Sequence, residues 1–344
     1  MVMGYLSILS VGYPLLPVSV DAAGGAEQIL ALLEQSLVQG GHRSLVVAAE
    51  GSKVCGELIT TPAVNGEMTE EVRQEAQEAH RLAIRETLEK YEVDLIHFHG
   101  LDFYAYLPES PIPKLATLHL PLDWYPDEIF ELPGIQLNCV SQMQAHSVPD
   151  KKRVFVVPNG IDTKKFCANG AHTGPLLWLG RICPEKGVHL ALEVAHQLNL
   201  PLTVAGPVHA FREHQTYFRE YVEPLLDDQR QWIGAVGMRQ KISLLAQARA
   251  LLIPSLVPET SSLVAMEAIS SGTPVVAFCS GALPEVVEDG VTGFIVEGQA
   301  QMAEAIGRLH EISSSMCRAR AAKRFSMECM VAKYMELYHR LQAA

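Results

Sequence analysis

The sequence predicts an α/β protein built as two doubly wound parallel sheets, each covered by helices. Short runs rich in Val, Ile and Leu, apolar at successive positions, recur along the 344 residues. Runs of that kind suit strands buried on both faces. Longer helix-like segments alternate with them, and the alternation begins afresh near the middle of the chain. At roughly 150 residues per domain, the length itself favours two units.

In the first half the apolar runs fall at 6–11, 45–49, 95–98, 114–119, 136–140 and 154–157, with a long charged helix at 69–91. In the second half they fall at 176–179, 202–205, 232–236, 251–254, 275–277 and 294–296. Each half thus has about six strands. The stretch 157–175, VPNGIDTKKFCANGAHTGP, has the Pro, Asn and Gly content of a connection. The expected domains are therefore 1–160 and 161–325, followed by a closing helix at 326–344. That helix carries Met327, Met330, Val331, Tyr334, Leu337, Tyr338 and Leu341 at helical spacing and should dock on a domain. Open parallel sheets bind ligands outside the carboxyl ends of their strands, so two such units imply an interdomain cleft.

Composition narrows the function. With 48% hydrophobic and 19% charged residues and no run of about 18 apolar residues, no spanning helix is expected. The start, MVMGYLSILSVGYP, lacks a basic flank and a small-residue cleavage site, so it reads as a first strand of a cytoplasmic protein. The seven cysteines, at 55, 139, 167, 183, 279, 317 and 329, are never closer than twelve apart. That spacing argues against zinc and against a disulfide framework, and leaves thiols expected to be reduced and mostly buried. A net charge of -12 excludes nucleic acid as a partner. One cationic patch, Arg318, Arg320, Lys323 and Arg324, reads as a solvated helix face, with peripheral membrane or acceptor contact as the alternative.

The densest stretch is 258–276, PETSSLVAMEAISSGTPVV. Thr260, Ser261 and Ser262 are N-cap residues for a helix from Leu263 to Ser270, and Gly272 supplies its stop. A strand, a polar turn and a helix N-terminus leave backbone N–H groups aimed at an anion, phosphate above all. Glu259 stands before that anion site and Glu267 one turn inside the helix. Carboxylates beside a phosphate site serve better as acceptors for sugar hydroxyls, which points to a nucleotide-sugar. Arg181 and Lys186, in LGRICPEKG after a strand, are either a second clamp on a diphosphate or a surface ion pair with Glu185.

Further signals are weaker. Gly24 and Gly25 open a helix, a pattern that allows close approach to phosphate. No G-x-G-x-x-G, G-x-x-x-x-G-K-[ST] or D-x-D occurs, so no dinucleotide or P-loop site and no metal are expected, and cations with helix dipoles must hold the diphosphate. His119 ends a strand at the cleft as a hydrogen-bonding partner for sugar. His97 and His99, two apart on one face, are read as structural as readily as functional. Glu285 lies either in the cleft or at a helix start.

Taken together, these segments resemble the retaining glycosyltransferases of family 4. Glu259 and Glu267 stand in that family's E-x7-E spacing, and AISSGTPVVA, GGAEQ, VPNGID, LGRICPEKG, GALPEVVEDGVTGF and FSMECMVAKYMELY match its other segments. The resemblance implies the GT-B fold, two Rossmann-like domains, with the closing helix crossing back to the first. It also implies a catalytic set of Glu259, His119, Arg181 and Lys186. Arg181 and Lys186 would hold the donor diphosphate, Glu267 the ribose, and Glu259 the transferred sugar. Backbone at Gly24, Gly25, Ser261, Ser262 and Leu263 would approach phosphate or sugar. Thr260, Ser261 and Ser262 stand where the family often has P-F-G. The expected activity moves a sugar from a nucleoside diphosphate donor, UDP first and GDP-mannose second, to an acceptor hydroxyl, with retention and without a cofactor. A sugar-nucleotide epimerase and a non-catalytic nucleotide-sugar-binding module are the alternatives.

Overall fold

The computed structural model describes residues 4–22, 24–64, 69–148, 154–167 and 172–343. Part of the expected connection, 168–171, lies outside the described residues, as do the extreme ends of the expected outer domains, 1–3 and 344. The chain divides into two compact units, Met1–Asn159 with Met327–Ala344, and Gly160–Ser326.

The first unit carries β1 (Ser7–Val11), α1 (Gly25–Gln39), β2 (Arg43–Ala49), β3 (Glu57–Thr61), α2 (Glu70–Lys90), β4 (Leu95–Phe98), β5 (Lys114–Leu118), β6 (Ile135–Cys139), α3 (Gln142–His146) and β7 (Phe155–Val156). Its parallel sheet has seven strands in the order β3-β2-β1-β4-β5-β6-β7. Along β2, Leu45 and Val47 join one core while Val46 and Ala48 join another. Both faces are therefore apolar, as a sheet covered on two sides requires.

The second unit carries β8 (Leu176–Leu179), α4 (Val188–Gln197), β9 (Leu202–Ala205), α5 (Arg212–Tyr217), β10 (Arg230–Trp232), α6 (Met238–Gln247), β11 (Leu251–Ile253), α7 (Leu263–Ser271), β12 (Val275–Phe278), α8 (Leu283–Val286), β13 (Gly293–Val296), α9 (Gln299–Gly307) and α10 (Ser314–Arg324). Its six parallel strands run β10-β9-β8-β11-β12-β13. Leu176 and Trp178 face one core and Leu177 the other, and Leu252 alternates with Leu251 and Ile253 in the same way. The last helix, α11 (Met327–Gln342), belongs to the first unit, where it packs against α1.

Three expectations need correction. β3 is a strand that the apolar runs did not show, because at the sheet edge its Glu57 and Thr60 face solvent. The strand expected at 232–236 lies instead at Arg230–Trp232, another edge, and Gly234 at φ +75° follows it. The cysteines form no disulfide among the described residues, but Cys55, Cys167 and Cys279 are exposed, Cys329 is half-buried, and only Cys139, Cys183 and Cys317 are buried. The spacing of the cysteines carried no information about their depth.

Candidate functional site

In the second unit β8 and β11 are neighbours, and they are where the strand order reverses. The loops leaving their carboxyl ends therefore meet at the position where doubly wound sheets bind ligands. Gly187, at φ +61°, lies so close to Pro254 that a Cβ there would run into the Pro254 carbonyl oxygen. Leu256 N–H donates to Glu185 O at 2.8 Å, tying the two loops together.

That tie sets the first ion pair. Lys186 Nζ lies 2.6 Å from Glu259 Oε1, and the Ser255 hydroxyl donates to the same oxygen. The carboxylate is mostly buried and the ammonium about a quarter exposed. Lys186 thus pairs with Glu259 and not with Glu185. The backbone of Glu259 is held in turn by Ala282 N–H, which donates to its carbonyl at 2.7 Å, and by Gly281 at φ +56°, where any Cβ would meet the Glu259 backbone. Arg181, just after β8, is exposed; burial pushes the neighbouring Glu185 carboxyl up, but hydrogen bonds from its own backbone N–H and the Cys183 thiol, with the charges of His214 and Arg181, hold it below the usual carboxylate range.

A second pair lies behind the first. Glu267 is buried on α7, and Lys241 Nζ of α6 donates to its Oε1 at 2.6 Å. Burial pushes the Glu267 carboxyl up, and the Lys241 ammonium pulls it back. Lys241 also lies 5.6 Å from the Phe166 ring centroid. Neither Ser255 nor Lys241 stood out in the sequence. Each is an ordinary residue that the fold, and no local spacing, carries to a carboxylate.

Between these pairs α7 begins. Ser262 is the N-cap in extended conformation, but its side chain makes no capping bond, and the first intrahelical bond is Met266 N–H to Ser262 O at 3.1 Å. The N–H groups of Leu263 and its neighbours have no partner within the helix. Ser261 Oγ is buried without a hydrogen-bond partner. The helix closes at Gly272 in the left-handed region, as expected. Glu285 lies in the first turn of the short helix α8, so its position is that of a helix start.

The first unit places the histidines at the ends of β4 and β5, which are also neighbours. His97 is spent on structure: its Nδ1 meets Tyr338 Oη at 2.8 Å and its Nε2 meets Thr117 Oγ1 at 2.7 Å. His99 Nδ1 lies 3.0 Å from His119 Nε2, with the two rings stacked. Burial holds His119 down to about 3 and His99 well below its ordinary value. Both rings are therefore neutral near pH 7 and exchange hydrogen bonds without charge. At the start of α1, the buried Glu27 carboxylate lies directly against Gly24. It is the N3 residue behind an N-cap glycine, in the position of a capping-box acid. Gly24 thus approaches a carboxylate of this chain, a neighbour that the glycine pair alone did not reveal.

Comparison with known proteins bears on both units. Residues 173–324 match the family model of Glycosyl transferases group 1, and residues 23–165 match that of Glycosyltransferase Family 4. The chain is 31% identical over 168 residues to the lipopolysaccharide 1,2-N-acetylglucosaminetransferase of Salmonella typhimurium, covering 41% of this chain and 42% of that protein. The matches span about half the length of such curated relatives. Among solved structures, sucrose-phosphate synthase from Thermosynechococcus elongatus superposes with a TM-score of 0.81 at 19% identity, covering 98% of this chain and 99% of that one. The Anabaena protein HepE, solved in complex with UDP-glucose, gives 0.75 at 18% identity over 98% of this chain and 100% of its own. These structural likenesses show the same GT-B fold.

Proposed function

This chain belongs to the family-4 glycosyltransferases, and we propose that it transfers a sugar from a nucleoside diphosphate sugar to an acceptor hydroxyl. The observation that carries the reading is the pair of lysine–carboxylate contacts flanking the uncapped start of α7, with Arg181 exposed beside them. An ammonium has three N–H donors. Lys186 spends one on Glu259 and keeps two for phosphate oxygens. Glu259 Oε1 is taken by Lys186 and Ser255, which leaves Oε2 to accept from a sugar hydroxyl. Glu267, held by Lys241, offers its second oxygen to the ribose in the same manner. As the glycosidic bond breaks, charge grows on the leaving phosphate, and Arg181, Lys186 and the α7 N–H groups stabilise it.

UDP-sugar is the first choice of donor and GDP-mannose the second, a choice supported by HepE's binding of UDP-glucose. Retention at the anomeric carbon and a cytoplasmic setting belong to the same reading. No helix among the described residues is long and apolar enough to cross a membrane. Because cationic side chains supply the countercharge, no divalent ion is required at the diphosphate. The test screens UDP- and GDP-sugars, each at about 100 times its Kd, where binding adds roughly 2.7 kcal/mol of stability. Release of nucleoside diphosphate is then followed with acceptor mixtures. A UDP-sugar should stabilise the protein and be turned over, at a rate unchanged within about twofold when Mg²⁺ or Mn²⁺ is added to chelator-dialysed protein. Stabilisation without turnover in any acceptor mixture would leave only a binding module, an epimerised donor an epimerase, and a rate dependent on Mg²⁺ or Mn²⁺ a metal-bridged diphosphate.

A further inference from the structure

The loop after β8 alternates two chemistries. Arg181 and Lys186 belong to the site described above, while Cys183 and Glu185 do not. Cys183 is the N-cap of the short 3-10 turn Pro184–Lys186, and Glu185 lies within that turn. Both come close to His214 on α5. One ligand atom from each of the three, the Cys183 Sγ, a Glu185 carboxylate oxygen and a His214 ring nitrogen, lie within 4.8 Å of one another. We propose that Cys183, Glu185 and His214 form a site for a thiophilic divalent cation, Zn²⁺ in the first place.

Three observations support it beyond proximity. Glu185 Oε2 and His214 Nδ1 are both buried without a hydrogen-bond partner. A buried polar atom without a partner is costly, so two of them beside a buried thiol call for a common partner. The residue hosting one of them, His214, is only 9% exposed, and Cys183 only 2%. The donor set, one thiolate, one imidazole and one carboxylate, is also the chemistry that selects zinc over magnesium or calcium, which prefer oxygen alone. Tetrahedral zinc at bond lengths of about 2.0–2.3 Å keeps its ligand atoms about 3.3–3.8 Å apart, so the three atoms, already within 4.8 Å of one another, would draw together by about 1 Å to close on it. The fourth position is left to a solvent oxygen.

The consequence is mechanical. A cation here would join the loop that carries Arg181 and Lys186 to α5, fixing the backbone between those two side chains. It would not sit on a diphosphate, and its existence does not depend on which sugar is transferred. Binding replaces the Cys183 S–H bond by an S–Zn bond and releases the proton to solvent. Burial and the neighbouring Glu185 push the free thiol up to about 11, with Arg181 drawing it back, so at pH 7 that proton is present to be released.

The experiment is equilibrium dialysis of the chelator-stripped full chain against Zn²⁺, with Co²⁺ as a spectroscopic stand-in. One Zn²⁺ per chain is expected, with a sulfur-to-cobalt charge-transfer band and release of one proton. Cys183→Ser, Glu185→Gln and His214→Gln should each weaken binding by more than about 100-fold, since even changes to groups behind the ligands cost 10–100-fold. The metal-free variants should melt as cooperatively as the parent, which separates lost binding from lost folding. The exposed thiols Cys55, Cys167 and Cys279 provide the control, because their Ser variants should bind as the parent does. Absence of stoichiometric uptake, or uptake that survives Cys183→Ser and falls in the exposed-thiol variants, would overturn the proposal.

Discussion

Lys186 and Glu259 illustrate how a single contact serves two ends of a substrate. With Lys186 replaced by alanine, Glu259 would keep its hydroxyl-accepting oxygen but lose the cation at 2.6 Å, and the leaving phosphate would lose a preorganised donor. Removal of one such donor costs on the order of 10²–10³ in rate, so kcat at saturating donor should fall by that much. Glu267→Ala should instead raise the donor Kd at nearly constant kcat, because a ribose contact is made equally in ground and transition states. A Kd unchanged in Glu267→Ala would remove that residue from the ribose. The two glutamates stood out in the sequence by their place around the helix start, whereas Ser255 and Lys241 did not, since their contacts to those carboxylates arise only when β11 and α6 are folded. His119 permits a prediction of a different kind. Its folded value is about 3 against an ordinary 6.5, so between those limits the unfolded chain binds the extra proton. Stability contributed by His119 is therefore complete above about pH 7 and is lost as the pH falls toward 3. Glu27, Glu34 and Asp102, whose carboxyls are raised by burial, act in the opposite sense, so the comparison must be made between variants. In urea titrations from pH 4 to 6, His119→Gln should reduce the slope of stability against pH by about 1.4 kcal/mol per unit. An unchanged slope would mean that His119 is protonated in the native state.

At the scale of elements, interior strands were legible and two of the four edge strands, β3 and β10, were not, for one reason. A central strand such as β8 is covered on both faces, so Leu176, Leu177 and Trp178 all had to be apolar. β3 and β10 have one neighbour each and tolerate Glu57, Gln231 and other polar residues, which erases the signal. The loop after β8 was also hard to read, because its shape depends on Gly187 meeting Pro254 across the sheet. This supplies a test. Gly187 and Gly234 both have positive φ, but nothing lies within 4 Å of a Cβ built at Gly234, whereas one at Gly187 meets backbone. Gly234→Ala should cost only the left-handed penalty of about 1–2 kcal/mol. Gly187→Ala should cost more, by chemical denaturation, and should also lower kcat because Lys186 is the preceding residue. Equal costs and intact turnover would show that the loop does not depend on this close approach.

The first unit is built from two distant segments of the chain, and the buried polar network shows what the second of them contributes. α11 brings Tyr334 and Tyr338 to β4, β5 and β6, where Tyr338 Oη meets His97, and Tyr334 Oη meets Thr117 at 3.1 Å and Asn138 Nδ2 at 3.3 Å. Asn138 Oδ1 in turn accepts from Val157 N–H at 2.8 Å, so the network reaches the last strand. The helical spacing at 326–344 gave the helix and its apolar face, but hydroxyls on that face have no sequence signature that names their partners. Tyr338→Phe leaves His97 Nδ1 buried and unpaired, a loss of about 1–3 kcal/mol. Deleting residues 327–344 removes both tyrosines together with the packing of Met330, Met335 and Leu337, all buried. The effect should be confined to the unit that owns the helix. Hydrogen exchange of the truncated chain should therefore show amides of β1, β4 and β5 losing protection while those of β8, β11 and β12 keep theirs. A uniform loss across both sheets would mean that the two units fold as one cooperative body, and protection retained in β4 and β5 would mean that the tyrosine network is dispensable to the first sheet.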